Sequence, residues 1–156
     1  MENIPQKANF LRNEYTKILA QLDADPPRKW GKMNAQQMIE HMTDSVRISS
    51  GKLAQETRTA EENIPKMQAF LESEKPFKEN TPNVNMPDTP PPAKHATQQE
   101  AINELQNEID HFFAVHEQEA GRKTANPFFG DLNFEQQVQL LHKHATHHLR
   151  QFGVVQ

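Results

Sequence analysis

Four of the chain's eight histidines fall within seven consecutive residues, His142-Lys143-His144-Ala145-Thr146-His147-His148. The chain has no cysteine, so thiolate metal sites, disulfides and cysteine nucleophiles are excluded, and any metal must be held by imidazole and carboxylate. Neutral imidazoles hold zinc or nickel when three or more nitrogens converge at about 2.0–2.1 Å. Side chains at i and i+4 share a helix face, so His144-x-x-x-His148 supplies two such nitrogens. At about 100° per residue, Phe134, Val138, Leu141, Ala145 and Phe152 form one apolar stripe. His148 falls in its middle and His144 one turn earlier, while His142 and His147 diverge to the flanks. Imidazoles aimed at an interior are costly unless they are hydrogen-bonded or hold an ion. The third nitrogen must come from another helix, and His41 is the leading candidate. Three protein ligands leave a fourth position for water or substrate, as in catalytic zinc sites.

Each histidine also has a plainer reading. An H-x-x-x-H pair is a weak signal alone, because such pairs also face solvent. His41 has Glu40 and Asp44 nearby in sequence and reads equally as an edge histidine bonded to a carboxylate. His116 continues a core stripe and reads first as a buried histidine hydrogen-bonded near a helix end. His95, His111, His142 and His147 read as surface or flanking residues. Sequence alone does not decide whether His116 or His147 joins the site. Other templates fit poorly. On a helix His142-x-His144 splays its rings by about 160°. Glu40-His41 lacks the His-Glu-x-x-His order of zinc proteases, and there is no glycine-rich phosphate loop or G-x-S-x-G elbow. Met33, Met38 and Met42 read as core filler. Arg47, Lys143 and Arg150 are candidates to meet an anionic substrate.

The elements that would position these residues follow from periodicity. Leu11, Tyr15, Ile18 and Leu22 predict a first helix from about Lys7 to Asp23, stopped by Pro26-Pro27. Asn34 predicts the cap of a second helix running to about Ser50, with Met38, Ile39, Met42, Val46 and Ile48 apolar, His41 toward the edge, and Gly51 ending it. Asn63-Ile64-Pro65 opens a short accessory helix through Leu71. A proline-rich connection follows from Lys75 to Pro92, too rich in proline for helix or central strand. Thr97-Gln98-Gln99-Glu100 is a capping-box pattern for a third long helix with Ile102, Leu105, Ile109, Phe112 and His116 on one face, and Gly121 as its C-cap. Asn126 to Leu132 reads as a turn carrying two aromatics. Asn133 and Gln136 cap the last helix, closed by Gly153.

At 156 residues the chain has the size of one domain, taken as residues 1–156. Only 35% of it is hydrophobic and mean hydropathy is -0.89, which suits helices with narrow apolar stripes. The net charge of -4 and pI near 6.1 argue against nucleic-acid binding, which wants a basic face. No basic leader followed by an apolar run opens the chain, and no 18-residue apolar run is present, so a cytoplasmic protein without a membrane span is expected.

Three segments together resemble a known family: Trp30-Gly31-Lys32-Met33-Asn34-Ala35-Gln36-Gln37-Met38-Ile39-Glu40-His41-Met42, Asn126-Pro127-Phe128-Phe129-Gly130-Asp131-Leu132, and His144-x-x-His147-His148-Leu149-Arg150-Gln151-Phe152-Gly153. In this order they resemble an uncharacterised bacterial branch of the DinB-like (DinB/YfiT) superfamily. The Lys75-Pro76-Phe77-Lys78-Glu79-Asn80 start of the proline connection also looks like that branch. The resemblance implies an all-α, up-down-down-up four-helix bundle with a long connection between helices 2 and 3. It also implies a divalent metal, zinc or nickel, held by His41, His144 and His148. Superfamily members include metal-dependent transferases that use low-molecular-weight bacterial thiols, and maleylpyruvate isomerases. The expectation is therefore a metal-binding protein acting on a small-molecule substrate, such as a low-molecular-weight thiol, as a transferase or isomerase, with metal-assisted hydrolysis as a second enzymatic option. The alternative is a non-catalytic binding or stress-related bundle whose histidines form a structural or vestigial site. A homodimer paired through helix faces is compatible with such a fold.

Overall fold

The computed structural model describes residues 1–23, 26–79 and 89–154. The fold is mostly helical. It contains α1 (Ile4–Asn9), a π-helical turn (Phe10–Glu14), α2 (Tyr15–Leu19), α3 (Ala35–Ser50), a 3-10 turn (Glu61–Asn63), α4 (Ile64–Glu72), α5 (Gln98–Gln118) and α6 (Phe134–Gln151). Between α5 and α6 lie two short strands, β1 (Thr124–Asn126) and β2 (Gly130–Leu132).

The two helices that carry the candidate ligands start in the same way. Asn34 accepts the Gln37 amide at 2.8 Å while the Gln37 side chain accepts the Asn34 amide at 2.9 Å. Asn133 and Gln136 repeat this reciprocal cap at 2.9 and 3.0 Å. Each box satisfies two otherwise orphaned amides, and the capping residue alone contributes about 1 kcal/mol. Gly51, at φ 87°, ends α3, a left-handed position at which a Cβ is strained.

α5 lies along α3, and α6 packs against α1, α3 and α4. The main core joins them through Leu11, Tyr15, Leu19, Met38, Ile39, Met42, Leu105, Ile109, Phe112, Val138, Leu141 and Leu149. A second cluster of Leu71, Phe129, Leu132 and Leu140 seats α4 and the hairpin on the outer side of α6. Glu108 on α5 ties down α3 and the residues after it, bonding Arg47 at 3.1 Å and Lys52 at 2.9 Å. Among the described residues no helix is long and apolar enough to cross a membrane.

Four local expectations change. The first helix begins at Ile4, because Pro5 is tolerated in a first turn, and ends at Leu19. Its π-helical turn accommodates an extra residue, with Tyr15 N–H bonding the Phe10 carbonyl, so Phe10, Leu11 and Tyr15 all face inward. Thr97 caps α5 through the Glu100 amide at 3.2 Å, but Glu100 bonds Ala96 N instead of completing the box. α5 then ends at Gln118, before Gly121. The aromatic turn is flanked by an antiparallel ladder pairing Thr124 with Leu132 and Asn126 with Gly130, so an all-α description needs this hairpin added. Asn126 Oδ1 bends the turn by accepting Phe128 N at 2.9 Å and Phe129 N at 3.1 Å. Within the proline-rich connection, residues 80–88, including Pro82 and Pro87, lie outside the described residues. Its far end is pinned to α3, where Glu40 accepts Lys94 N at 2.7 Å and His95 N at 3.2 Å.

Candidate metal centre

The last helix turns its apolar stripe inward as its spacing predicts: Val138, Leu141, Ala145 and Phe152 are buried and His148 is 5% exposed. The neighbouring face of α3 brings His41 to the same point. His41 Nε2 stands 3.0 Å from His144 Nε2, and His148 Nε2 stands 2.9 Å from His144 Nε2. All three Nε2-bearing rings can offer one ligand atom within 4.8 Å of the others. Two nitrogens each about 2.0–2.1 Å from one ion stand about 2.9 Å apart at a right angle and about 3.3 Å apart at a tetrahedral angle. The two observed edges lie at the right-angle end of that range. The group can hold a metal ion.

Proton accounting gives the same answer. The Gln151 Nε2 donates to the Trp30 carbonyl at 2.8 Å, which turns its Oε1 toward His148 Nδ1, also at 2.8 Å. His148 must then carry its proton on Nδ1, leaving Nε2 a bare lone pair. His144 Nε2 faces both other rings, and one nitrogen holds either one proton or one lone pair. At most one of the two contacts is therefore a linear hydrogen bond while all three rings are neutral. Adding a proton is opposed by burial, which pushes His41 down to about 4 and His148 down to about 3. Burial drives His144 well below its ordinary value, and the neighbouring His148 and His41 push it further. A divalent cation accepts a lone pair from all three rings at once when His41 and His144, like His148, hold their protons on Nδ1.

The surroundings separate the plain readings from the chemical ones. Glu40, the carboxylate that offered His41 an ordinary partner, is engaged with Gln36 and the backbone of Lys94 and His95. His147 is not a surface residue: it is 8% exposed, with Trp30 at 5.3 Å and Phe77 at 5.9 Å between ring centroids. Its Nδ1 is buried without a hydrogen-bond partner. Phe77 also covers His144 at 6.2 Å. His142 is half-buried, edge-on to Phe10 at 5.4 Å, and His111 is exposed. His95 pairs with Glu104 at 3.2 Å. His116 lies against Phe112 and Phe134, away from the cluster, with Nε2 3.5 Å from the Ser49 carbonyl.

The three candidate anion binders fare unequally. Arg47 is held by Asp44, Glu104 and Glu108. Lys143 caps the chain after α4, donating to the carbonyls of Ser73 and Lys75. Lys143 and Arg150 line a separate cleft with Lys7 and Glu74, on the side of α6 turned away from His144 and His148 by helical spacing. Gln151, Trp30 and Phe77 entered the sequence reading only within the family-like segments, with no role given to them. Gln151 carried one further signal, its i+3 spacing from His148.

Fold and site together define a class: a mostly helical protein with three imidazoles disposed to take a divalent ion. The family model of the DinB superfamily matches residues 10–152. The chain belongs to the DinB superfamily. No curated protein and no solved structure matches it.

Proposed function

We propose that this chain is a metal-dependent DinB-superfamily enzyme in which His41, His144 and His148 hold one divalent ion, zinc or nickel, beside an open coordination position. The convergence of three Nε2 atoms on one point, with His148 Nε2 left unprotonated by the bond its Nδ1 makes to Gln151, carries the reading. When bound, the ion supplies Lewis acidity that lowers the pKa of a coordinated thiol or water. The residues do the rest: Gln151 orients His148, while Phe77 packs over His144 and His147. A chain without cysteine has no thiolate of its own. Thiol transfer or isomerisation here therefore takes its nucleophile from a small-molecule cosubstrate, in keeping with the family resemblance. We further take the helices as an up-down-down-up four-helix bundle forming one domain, supported by α3 lying along α5 with α6 and α1 packed together.

The test is elemental analysis of untagged protein followed by turnover assays with low-molecular-weight thiols. The expected result is near-stoichiometric zinc or nickel, and thiol-dependent turnover that stops on chelation and returns with metal. Metal-loaded protein without turnover or an exchangeable coordination position would favour a structural site instead.

A further inference from the structure

We infer that Gln151 is a positioning residue for the histidine cluster, and that the Trp30-Gly31 backbone is the device that holds it. The inference rests on the metal reading above and deepens it. A primary amide has one accepting and one donating end, so its orientation is set by any neighbour with a single role. The Trp30 carbonyl is such a neighbour, because it can only accept. At 2.8 Å it fixes Gln151 Nε2 toward itself, and Oε1 therefore faces His148 Nδ1. That contact selects the His148 tautomer whose Nε2 points, unprotonated, at His144.

The loop is built for this approach. The Lys29 amide donates to the Gln151 backbone carbonyl at 2.7 Å, so main chain and side chain of one residue are clamped by two consecutive loop residues. Gly31 lies at φ +84°, and a Cβ there would collide with Gln151 Nε2. Glycine is required at this point both for its backbone angle and for the space the amide fills. Gln151 is 3% exposed, so water does not replace the lost partner when it is removed.

The experiment compares wild type with Gln151→Met, Gln151→Glu and Gly31→Ala. Ring nitrogen shifts of 15N-labelled, metal-free protein report the His148 tautomer, and competition with a chromogenic chelator reports zinc affinity. Wild type should show His148 protonated on Nδ1. Gln151→Met should lose that preference and bind zinc roughly 10- to 100-fold more weakly, the usual cost of removing a ligand's hydrogen-bond partner. Gln151→Glu, whose carboxylate still accepts from Nδ1 but cannot donate to the Trp30 carbonyl, should keep the tautomer with an affinity between those of wild type and Gln151→Met. Gly31→Ala should weaken zinc binding by displacing the Gln151 amide while deleting no polar group. If Gln151→Met does not fold, the glutamate and alanine variants still decide the matter. A wild-type His148 protonated on Nε2, or unchanged affinity in Gln151→Met and Gly31→Ala, would overturn the inference. Wild type that takes up no zinc would overturn the metal reading instead, and the tautomer of the metal-free protein would still report on Gln151.

Discussion

His148 and His116 are almost equally buried, at 5% and 7% exposure, and both lie among aromatic rings. What faces them differs. His116 sits 4.8 Å from Phe112 and 5.3 Å from Phe134, and its Nε2 meets the Ser49 carbonyl, an oxygen that Thr124 also bonds at 2.9 Å. The protein therefore offers His116 an acceptor, which a neutral ring satisfies by donating. His148 already spends its one proton on Gln151, and its free nitrogen faces a second imidazole that faces a third. Burial alone makes a histidine a packing residue. Convergence with two other imidazoles, its own proton already committed elsewhere, makes it a candidate ligand.

The largest effect that could break this contrast is loss of binding. His144→Ala/His148→Ala should abolish zinc or nickel uptake. It should also remove the metal-linked stabilisation, about 2.7 kcal/mol for wild type at a hundred times the dissociation constant. Denaturant melts with and without metal read this directly, and a metal shift persisting in the double variant would break the contrast.

Next is pH. The cluster's folded pKa values lie below the ordinary 6.5, near 4 for His41 and 3 for His148, so the unfolded chain binds more protons between those values. Stability of the metal-free protein should be flat above about 6.5 and fall as pH drops toward 4. Each such histidine contributes a slope of at most about 1.4 kcal/mol per pH unit. Metal affinity should weaken through the same range, because ligand nitrogens must be unprotonated. Urea midpoints across a pH series check the first trend and competition titrations the second.

His116→Ala is the sharpening control. It should cost on the order of 1 kcal/mol of stability through lost packing and a lost bond, with metal affinity unchanged. His147→Ala should also leave binding nearly intact: its ring borders the site against Trp30 and Phe77 but is not among the three convergent rings. Affinity within a few-fold of wild type is expected by calorimetry, and a loss equal to that of His148→Ala would reassign the ligand.

Much of this was legible in the residues. The 3.6-residue period turned His144 and His148 inward, and Asn34 as a cap and Asn133 with Gln136 marked the starts of α3 and α6. Periodicity put His41 only at the edge of its helix, since it places a side chain on a face but does not say what packs there; its candidacy came from the need for a ligand on another helix and from the family resemblance. The hairpin was missed because strands of three residues are too short to show alternation. The clamp on Gln151 was hidden for another reason. Its partner at Trp30 is a backbone carbonyl, which every residue carries, and no spacing rule selects one.

The most direct test of the central claim is calorimetric titration of zinc into metal-free wild type, His148→Ala and His116→Ala. The account predicts one ion per chain for wild type and His116→Ala, and none at the site for His148→Ala. Binding that survives in His148→Ala but fails in His116→Ala would contradict it.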